Sequence, residues 1–471
     1  MDELLEKFNE NRGDDKEAID RVILNQKYDT NNPFLLSYKG RDYNSQFYHI
    51  YKYRLDTFKE RVTKECVKRW DNGFKLKGRS VIKKEKVLDI QGNEPCWCIG
   101  TIYCEMKYKP NILEEVTNDT YGAPDIVKSY TDLEGSDEIM LEDESGRVLL
   151  VGDYIRSTPF ITGTVIGILG MEADAGTFQV LDICYPAALP QKPLLLDKNR
   201  KDKGSVALVS GININSKSPG HALRLQLLQE YLMGRLDSND ERVSKIGKLI
   251  ICGNSVDFNA REETPGDLAN SLAEFGKFLG NSLQSISIDL MPGVKDPSAR
   301  ALPQQPFNKA LFSEALRPYF DKVNNKLLNL VTNPYQFNIN DVDLLTVSGQ
   351  SVNDIHKYVI PMKNNSLDET PKEDIEHRLD LMECTMKWQN IAPTAPDTVW
   401  CYPFKEEDPF VLKEWPHVYI VANQPEYGTR DLTLNDGVNV KIISVPEFSK
   451  TGSVILLDLN NLESEVVTIE L

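Results

Sequence analysis

Five histidines, His49, His221, His356, His377 and His417, are the first side chains to weigh for chemistry. Hydrolysis of a phosphoester by two metal ions needs Asp, His and Asn clustered at strand ends, because two cations must be bridged and a water activated between them. None of the five directly follows an apolar run in the second half of the chain, and His417 leads into one. A His-rich metal centre is therefore not expected. Ser210, Ser348 and Cys252 are nucleophile types, but a nucleophile needs a neighbouring base, and only His356 is near in sequence. His377 lies on a helix patterned by Ile375, Leu379, Met382 and Met386 and reads as surface. Cys96 and Cys98 with Cys104 have the residue types of a zinc site, yet strand alternation sends all three to one face, which describes barrel core. Gly163, Gly167 and Gly170 fall inside a strand-like run, so they fit close packing and not a phosphate cradle.

These residues hang on two kinds of pattern. Phe47, Ile50, Tyr51, Leu55, Phe58, Val62 and Cys66 recur every three or four positions and predict an amphipathic helix over 45–70. Alternating runs at 96–106, 139–142, 148–151, 162–171 and 177–185 predict five strands, with Glu144-Ser145-Gly146 and Asp174-Ala175-Gly176 as hairpin turns. Five strands in so short a stretch predict a closed or partly closed barrel of OB-fold type. A long insertion, 109–138, separates the first two. Single-strand binding by such a barrel needs cations and exposed aromatics, whereas Asp132, Glu134, Asp137, Glu138, Glu142, Asp143 and Glu144 crowd this one, so protein docking is expected.

The polar, Pro-containing stretch 187–204 reads as a linker. Beyond it, apolar strands at 206–209, 249–252, 286–290, 344–347 and 418–421 are interspersed with helices at 221–236, 266–283 and after Ser351. Alternation of this kind predicts a sheet with helices on its faces and any site in the loops at strand ends. The stretches 440–445 and 454–459 read as a closing hairpin turned at Lys450-Thr451-Gly452, and 363–373 as a polar insertion. The Pro-rich run 290–306 is either a docking surface or a buried structural loop. The expected organisation is α/β plus β, with a poorly ordered terminus at 1–33, a helix and barrel at 34–190, and a layered domain at 205–471.

With 54 Lys and Arg against 71 Asp and Glu, the net charge is -17, which repels polyphosphate at long range and argues against a free-standing nucleic-acid binder. The charge is uneven. Residues 52–86 hold 13 Lys or Arg against 5 Asp or Glu, so this segment is +8 and the remainder -25. Such a run reads as a solvated helix face, with an acidic partner or a DNA backbone as the other readings. No apolar run approaches the roughly 18 to 20 residues of a membrane helix, the N-terminus lacks signal-peptide order, and eight dispersed cysteines fit a reducing compartment.

Several strings carry a resemblance: Val87-Leu88-Asp89-Ile90-Gln91-Gly92-Asn93, Cys96-Trp97-Cys98, Leu141-Glu142-Asp143-Glu144-Ser145-Gly146-Arg147, Leu290-Met291-Pro292-Gly293, and above all Trp388-Gln389-Asn390-Ile391-Ala392-Pro393-Thr394-Ala395-Pro396-Asp397-Thr398 with Cys401-Tyr402-Pro403. From about residue 32 onward the chain resembles the B subunits of replicative DNA polymerases, the small-subunit family of polymerase delta, fungal type, most closely. The resemblance implies an OB-fold barrel domain packed on an inactive calcineurin-like phosphoesterase domain. Active members of the wider fold carry metal-binding motifs whose positions here are Gly211 and Asn213, Asn254 and Asp257, Val294, Lys295 and Asp296, Ser348, and Asn423 and Pro425. No histidine stands at any of them. Two separated carboxylates, Asp257 and Asp296, do not neutralise a pair of divalent ions, so no catalytic, metal or cofactor site is expected in this chain.

The resemblance further implies a non-catalytic scaffold in the nucleus. It would dock the Cys-rich, iron-sulfur-carrying C-terminal domain of the polymerase delta catalytic subunit and a third accessory subunit, and would be shared with the polymerase zeta catalytic subunit in translesion synthesis and DNA repair. DNA would be met mainly indirectly. The alternative is a metal-dependent phosphodiesterase or exonuclease of the same fold.

Overall fold

The computed structural model describes residues 19–27, 32–39, 41–71, 73–92, 94–110, 127–132, 134–173, 176–194, 204–216, 222–236, 240–258, 263–312, 315–320, 326–360, 371–434 and 437–470. A short strand, β1 (Gln26–Lys27), precedes helix α1 (Tyr48–Cys66), which matches the 45–70 periodicity and buries Ile50, Phe58, Val62 and Cys66 along one face. A small hairpin, β2 (Lys75–Leu76) and β3 (Arg79–Ser80), then leads into β4 (Ile82–Lys83). The barrel strands are β5 (Cys96–Glu105), β6 (Glu138–Glu142), β7 (Arg147–Val151), β8 (Val165–Glu172) and β9 (Phe178–Cys184), with the short helix α2 (Asp153–Ser157) after β7. Their order is β4-β5-β6-β7-β9-β8, and β8 returns to pair with β5, which closes the barrel.

Alternation along β5 decides what lies where. Cys96, Cys98, Ile102 and Cys104 line the barrel interior, while Trp97 and Ile99 face outward under α1 beside Phe58, Val62 and Trp70. All eight cysteines are buried and free, and burial pushes the thiols of Cys96 to about 11 and of Cys98 and Cys104 to about 12. They stay protonated near neutral pH and pack as core side chains.

Two six-stranded sheets follow. The first contains β10 (Ser205–Val209), helices α3 (Ala222–Leu232) and α4 (Asp240–Ser244), β11 (Ile246–Cys252), helix α5 (Pro265–Ser282), β12 (Ser287–Met291) and β13 (Leu328–Leu330) in its build-up. The second gathers β14 (Tyr335–Ile339), β15 (Val342–Val347), β16 (Val418–Gln424), β17 (Gly428–Thr433) and β18 (Asn439–Pro446), with helices α6 (Gln350–Tyr358) and α7 (Pro371–Trp388) between β15 and β16. After the turn α8 (Phe448–Thr451), β19 (Ser453–Asp458) and β20 (Ser464–Thr468) complete the first sheet. The orders are β13-β12-β11-β10-β19-β20 and β1-β14-β15-β16-β18-β17. Along the inner strands β10, β11, β15 and β16 residues alternate between two buried environments, which is why these runs are largely apolar. Leu208 and Ile250 meet Ile420 and Ile443 between the sheets, whereas Val209 and Leu249 meet Leu228 of α3 and Phe275 of α5 outside. Helices α6 and α7 cover the other outer face through Ile355, Leu379 and Met382. Helix α5 starts where Thr264 and Asp267 form a reciprocal cap with Pro265 at the first position.

Three expectations change. The closing hairpin is wrong: β18 pairs with β17 and β16, and β19 with β20 and β10, so the two strands lie in different sheets. Residues 447–452 cross between the sheets, held by N–H bonds from Phe448 to Ser210 O and from Ser449 to Gly211 O. Because both strands are apolar on both faces, their pattern carries no mark of which sheet each joins. The poorly ordered reading of 1–33 fails at 19–27, where β1 pairs with β14 and Arg21 donates to Ser285 O, Val243 O and Ile246 O. The surface reading of His377 is also wrong. It is 5% exposed, edge-on to His356 at 5.2 Å, because α7 packs on both α6 and the sheet. Of the linker, 187–194 is seated on the second sheet: the Trp415 backbone N–H donates to Pro190 O, and His417 accepts the Asp343 N–H at Nδ1 and bonds Lys192 O through Nε2. Residues 1–18, most of the 109–138 insertion, 195–203, His221 and 361–370 lie outside the described residues. Among those described, no helix is long and apolar enough to cross a membrane.

The barrel's helix is bolted to the layered domain by Arg54. Its guanidinium, 2% exposed, bonds Asp408 Oδ2 at 2.5 Å and the carbonyls of Pro393, Ala395 and Ala392. Arg61 of the same helix reaches Gln389 Oε1 and Leu412 O, both at 2.8 Å. Phe160 pairs with Ile360 in an isolated bridge, and Tyr130 stacks on Tyr358 at 5.1 Å. Arg54→Met strands the fully buried Asp408 and is expected to cost roughly 3–5 kcal/mol in chemical denaturation, with the Arg54→Met, Asp408→Asn double variant losing less than the sum of the single variants.

His377 gives a pH signature. Burial, then the neighbouring His356, lowers its pKa to about 4, with Asp374, Arg378 and Asp380 also near, and neither ring nitrogen has a hydrogen-bond partner among the described residues. The unfolded imidazole, near 6.5, therefore binds protons that the folded one refuses, so stability falls as pH drops from 6.5 to 4, by roughly 3 kcal/mol. Denaturation across that window is expected to lose most of this slope in His377→Phe.

Candidate functional site

Parallel pairing of β10, β11 and β12, and of β15 and β16, brings the C-terminal ends of these strands to one place, where the two sheets meet. Two glycines let the loops touch. A Cβ on Gly253 would collide with Ser348 Oγ and Gly293 Cα, and one on Gly293 with Asn254 Oδ1 and its backbone N. Asn213, Asn254 and Asn423 take left-handed backbone angles, φ +51, +55 and +54, which Asn tolerates because its short side chain can bond locally.

Eight of the ten predicted positions are brought together. Asn213 is bonded within the chain: its Nδ2 donates to Glu447 Oε2 and Ser449 Oγ, both at 2.9 Å, and its N–H to Asn254 O. Asn254 Oδ1 accepts the Lys295 N–H at 3.1 Å. Asn423 bridges the sheets, donating from Nδ2 to Ser348 O at 2.9 Å and Cys252 O at 3.2 Å, while its N–H goes to Ser210 Oγ. Ser348 is buried and donates its N–H to Asn333 Oδ1. Gly211 lies against Glu447, with φ +60. The remaining pair, Val294 and Pro425, are exposed at the rim.

Charge in the cluster is sparse and already matched. Lys295 Nζ lies 3.0 Å from Asp257 Oδ2, with both side chains partly exposed. Asp296 is buried and accepts backbone N–H bonds from Ser255 and Val256 at Oδ1 and from Gly293 at Oδ2, at 2.7–2.9 Å. Burial pushes its carboxyl up to about 7 against the pull of those donors. The carboxylate thus ties three loop amides together. Among the described residues, no group of three or more His, Cys, Asp or Glu is arranged to hold a metal ion, and the Lys295 ammonium opposes a cation beside Asp257.

Sequence reasoning missed the support behind Ser348. Gln304 donates to Gly293 O and accepts from Asn333 Nδ2 at 2.7 Å and Gln350 Nε2 at 2.6 Å. This places part of the 290–306 run as a buried structural loop. Neutral amides at scattered positions follow no spacing rule, so nothing in the sequence marks them. Glu447 escapes for another reason: it sits on the crossing between the sheets, where the sequence reads as a hairpin.

Residues 206–429 match the family described as the B subunit of DNA polymerase alpha/epsilon, and residues 46–183 the family described as DNA polymerase delta subunit OB-fold domain. The pairing of a barrel with a layered domain is thus that of a polymerase small subunit, and the barrel is an OB fold. A DNA polymerase delta small subunit of Saccharomyces cerevisiae is 62% identical over 100% of this chain and 100% of its own length. One from Arabidopsis thaliana is 33% identical over 81% and 84%, and the DNA polymerase delta subunit 2 of Drosophila melanogaster is 33% identical over 94% and 97%. The chain belongs to the DNA polymerase delta small subunit family.

A structural role for the strand-end amides has a measurable consequence. Asn423→Ala removes donors to two buried carbonyls and should lower stability by about 2–3 kcal/mol. Lys295→Gln breaks only a part-exposed ion pair and should cost less than about 1 kcal/mol. Urea denaturation of the two variants beside the unaltered chain checks the contrast.

Proposed function

We propose that this chain is a non-catalytic scaffold of a replicative DNA polymerase, built from an OB barrel and a phosphoesterase-like domain that has lost its metal site. The observation that carries this reading is the Lys295–Asp257 ion pair within a cluster of self-bonded asparagines. An ammonium stands where a divalent ion would have to be held, and Asn254 offers a neutral amide where two cations would need a bridging carboxylate.

The scaffold docks the Cys-rich C-terminal domain of the polymerase delta catalytic subunit, whose iron-sulfur cluster belongs to that partner, and a third accessory subunit. It serves polymerase zeta in the same way and works in the nucleus, in replication, translesion synthesis and DNA repair. Membership in the delta small subunit family supports the first partner most directly. The rigid seating of α1 and the barrel on the layered domain through Arg54 supports a scaffold role, since a docking platform must keep its two halves in register.

Size exclusion and calorimetry of the full chain with the isolated Cys-rich domain of a delta catalytic subunit are expected to show a tight one-to-one complex. No complex between two folded components would overturn the docking. In parallel, a manganese-supplemented assay on a phosphodiester is expected to show no hydrolysis above background, and turnover that Asp257→Asn abolished would restore the phosphodiesterase reading.

A further inference from the structure

The basic segment 52–86 divides in two once its ion pairs are known. On α1 and the helical turn Val67–Asp71 that continues it, exposed lysines are matched along the helix: Lys52 with Asp56, Lys64 with Glu60 and Lys68 with Glu65. That half is a solvated helix face. Beyond the helix, residues 74–84 contain Lys75, Lys77, Arg79, Lys83 and Lys84 and no acid. Lys75, Lys77 and Arg79 are all exposed on the β2–β3 hairpin, and neither Lys75 nor Lys77 forms an ion pair among the described residues.

The hairpin is also built to present them. Lys77 and Gly78 both take left-handed angles at its tip, φ +49 and +81, the turn whose twist suits a two-residue hairpin. A lysine adopts that conformation at a cost that Asn or Gly would avoid, and here the costly residue is the cation at the tip. Both roots are fixed to the barrel. Trp97 Nε1 donates to Asp71 Oδ1 at 3.3 Å before the hairpin, and after it β4 pairs in parallel with β5 while Lys84 donates its N–H to Trp97 O. Phe74 and Ile82 flank the base with 41% and 46% of their surface exposed.

We propose that the β2–β3 hairpin is a sequence-independent contact for the phosphodiester backbone of duplex DNA. Backbone contact needs clustered cations, and this hairpin supplies Lys75, Lys77 and Arg79 with no Asn or Gln beside them to read an adenine edge. Long-range repulsion from a molecule of charge -17 makes the contact weak and short-ranged, so it acts when the chain is already held near DNA. The choice of DNA over an acidic protein rests on the polymerase family assignment; the place of the contact rests on the hairpin alone.

Fluorescence anisotropy of the full chain with a duplex of about 20 base pairs, titrated across salt, tests it. The triple variant Lys75→Glu, Lys77→Glu, Arg79→Glu is expected to bind at least about tenfold more weakly at low salt and to lower the slope of log K against log salt by about 2–3. The helix variant Lys52→Glu, Lys64→Glu, Lys68→Glu, with the same charge change, is expected to bind more tightly than the hairpin variant at every salt concentration. Equal binding by the two variants, with thermal melting showing both folded, overturns the proposal, as does displacement of the duplex by polyglutamate at matched charge, which assigns the hairpin to an acidic protein. Binding of the catalytic subunit's Cys-rich domain is measured on the same triple variant. Its retention there separates loss of the DNA contact from failure of the scaffold.

Discussion

A buried guanidinium can be stable only if every one of its directions is answered, and Arg54 is answered wholly from outside its own domain. Asp408 neutralises it, and carbonyls of the 392–395 loop take the remaining donors. Either partner alone would be a charge stranded in low dielectric. The barrel helix and the loop therefore have their present conformations only in each other's company. Gly163 belongs to the same joint, since a Cβ there would collide with Pro393 O. Its place in a strand-like run suggests close packing, and the packing is between domains.

At the strand ends the electrostatic problem is solved differently. A pocket of carboxylates repels itself unless cations are bound, so its loops depend on a ligand for their shape. Here amides bond to carbonyls, a single carboxylate collects backbone N–H groups, and one ammonium meets one carboxylate. These bonds hold the loops against each other. Bridging by Asn423 from the second sheet to Cys252 O of the first makes this cluster a clamp between the sheets as well.

Much of this is legible in the sequence, because strand alternation and helical periodicity report burial directly. The barrel strands and α1 follow the apolar pattern closely, as do β10, β11 and α5. The ten motif positions come from the family resemblance and not from periodicity, and eight of them do converge. What escapes is information that periodicity lacks. Strands such as β18 and β19, buried on both faces, carry no label for one sheet or the other, and an amide network like Gln304–Asn333–Gln350 has no spacing. His377 is misplaced because α7 buries more than one stripe. The short β1 is missed since two residues show no alternation, and its position is secured by long-range bonds from Gln26 to Asp289 and Tyr335.

Those bonds have a bearing on how the chain comes to be made. Arg21 and Gln26 leave the ribosome long before their partners, Ser285, Asp289 and Tyr335, which emerge some 260 to 310 residues later. At roughly 5–20 residues per second that is a wait of about 13–60 s. The layered domain cannot take its final form during that time, and its apolar strands are exposed to chaperones and to wrong partners. Completion of the second sheet's edge is thus a late event, set by the clock of translation and not by the speed of local folding.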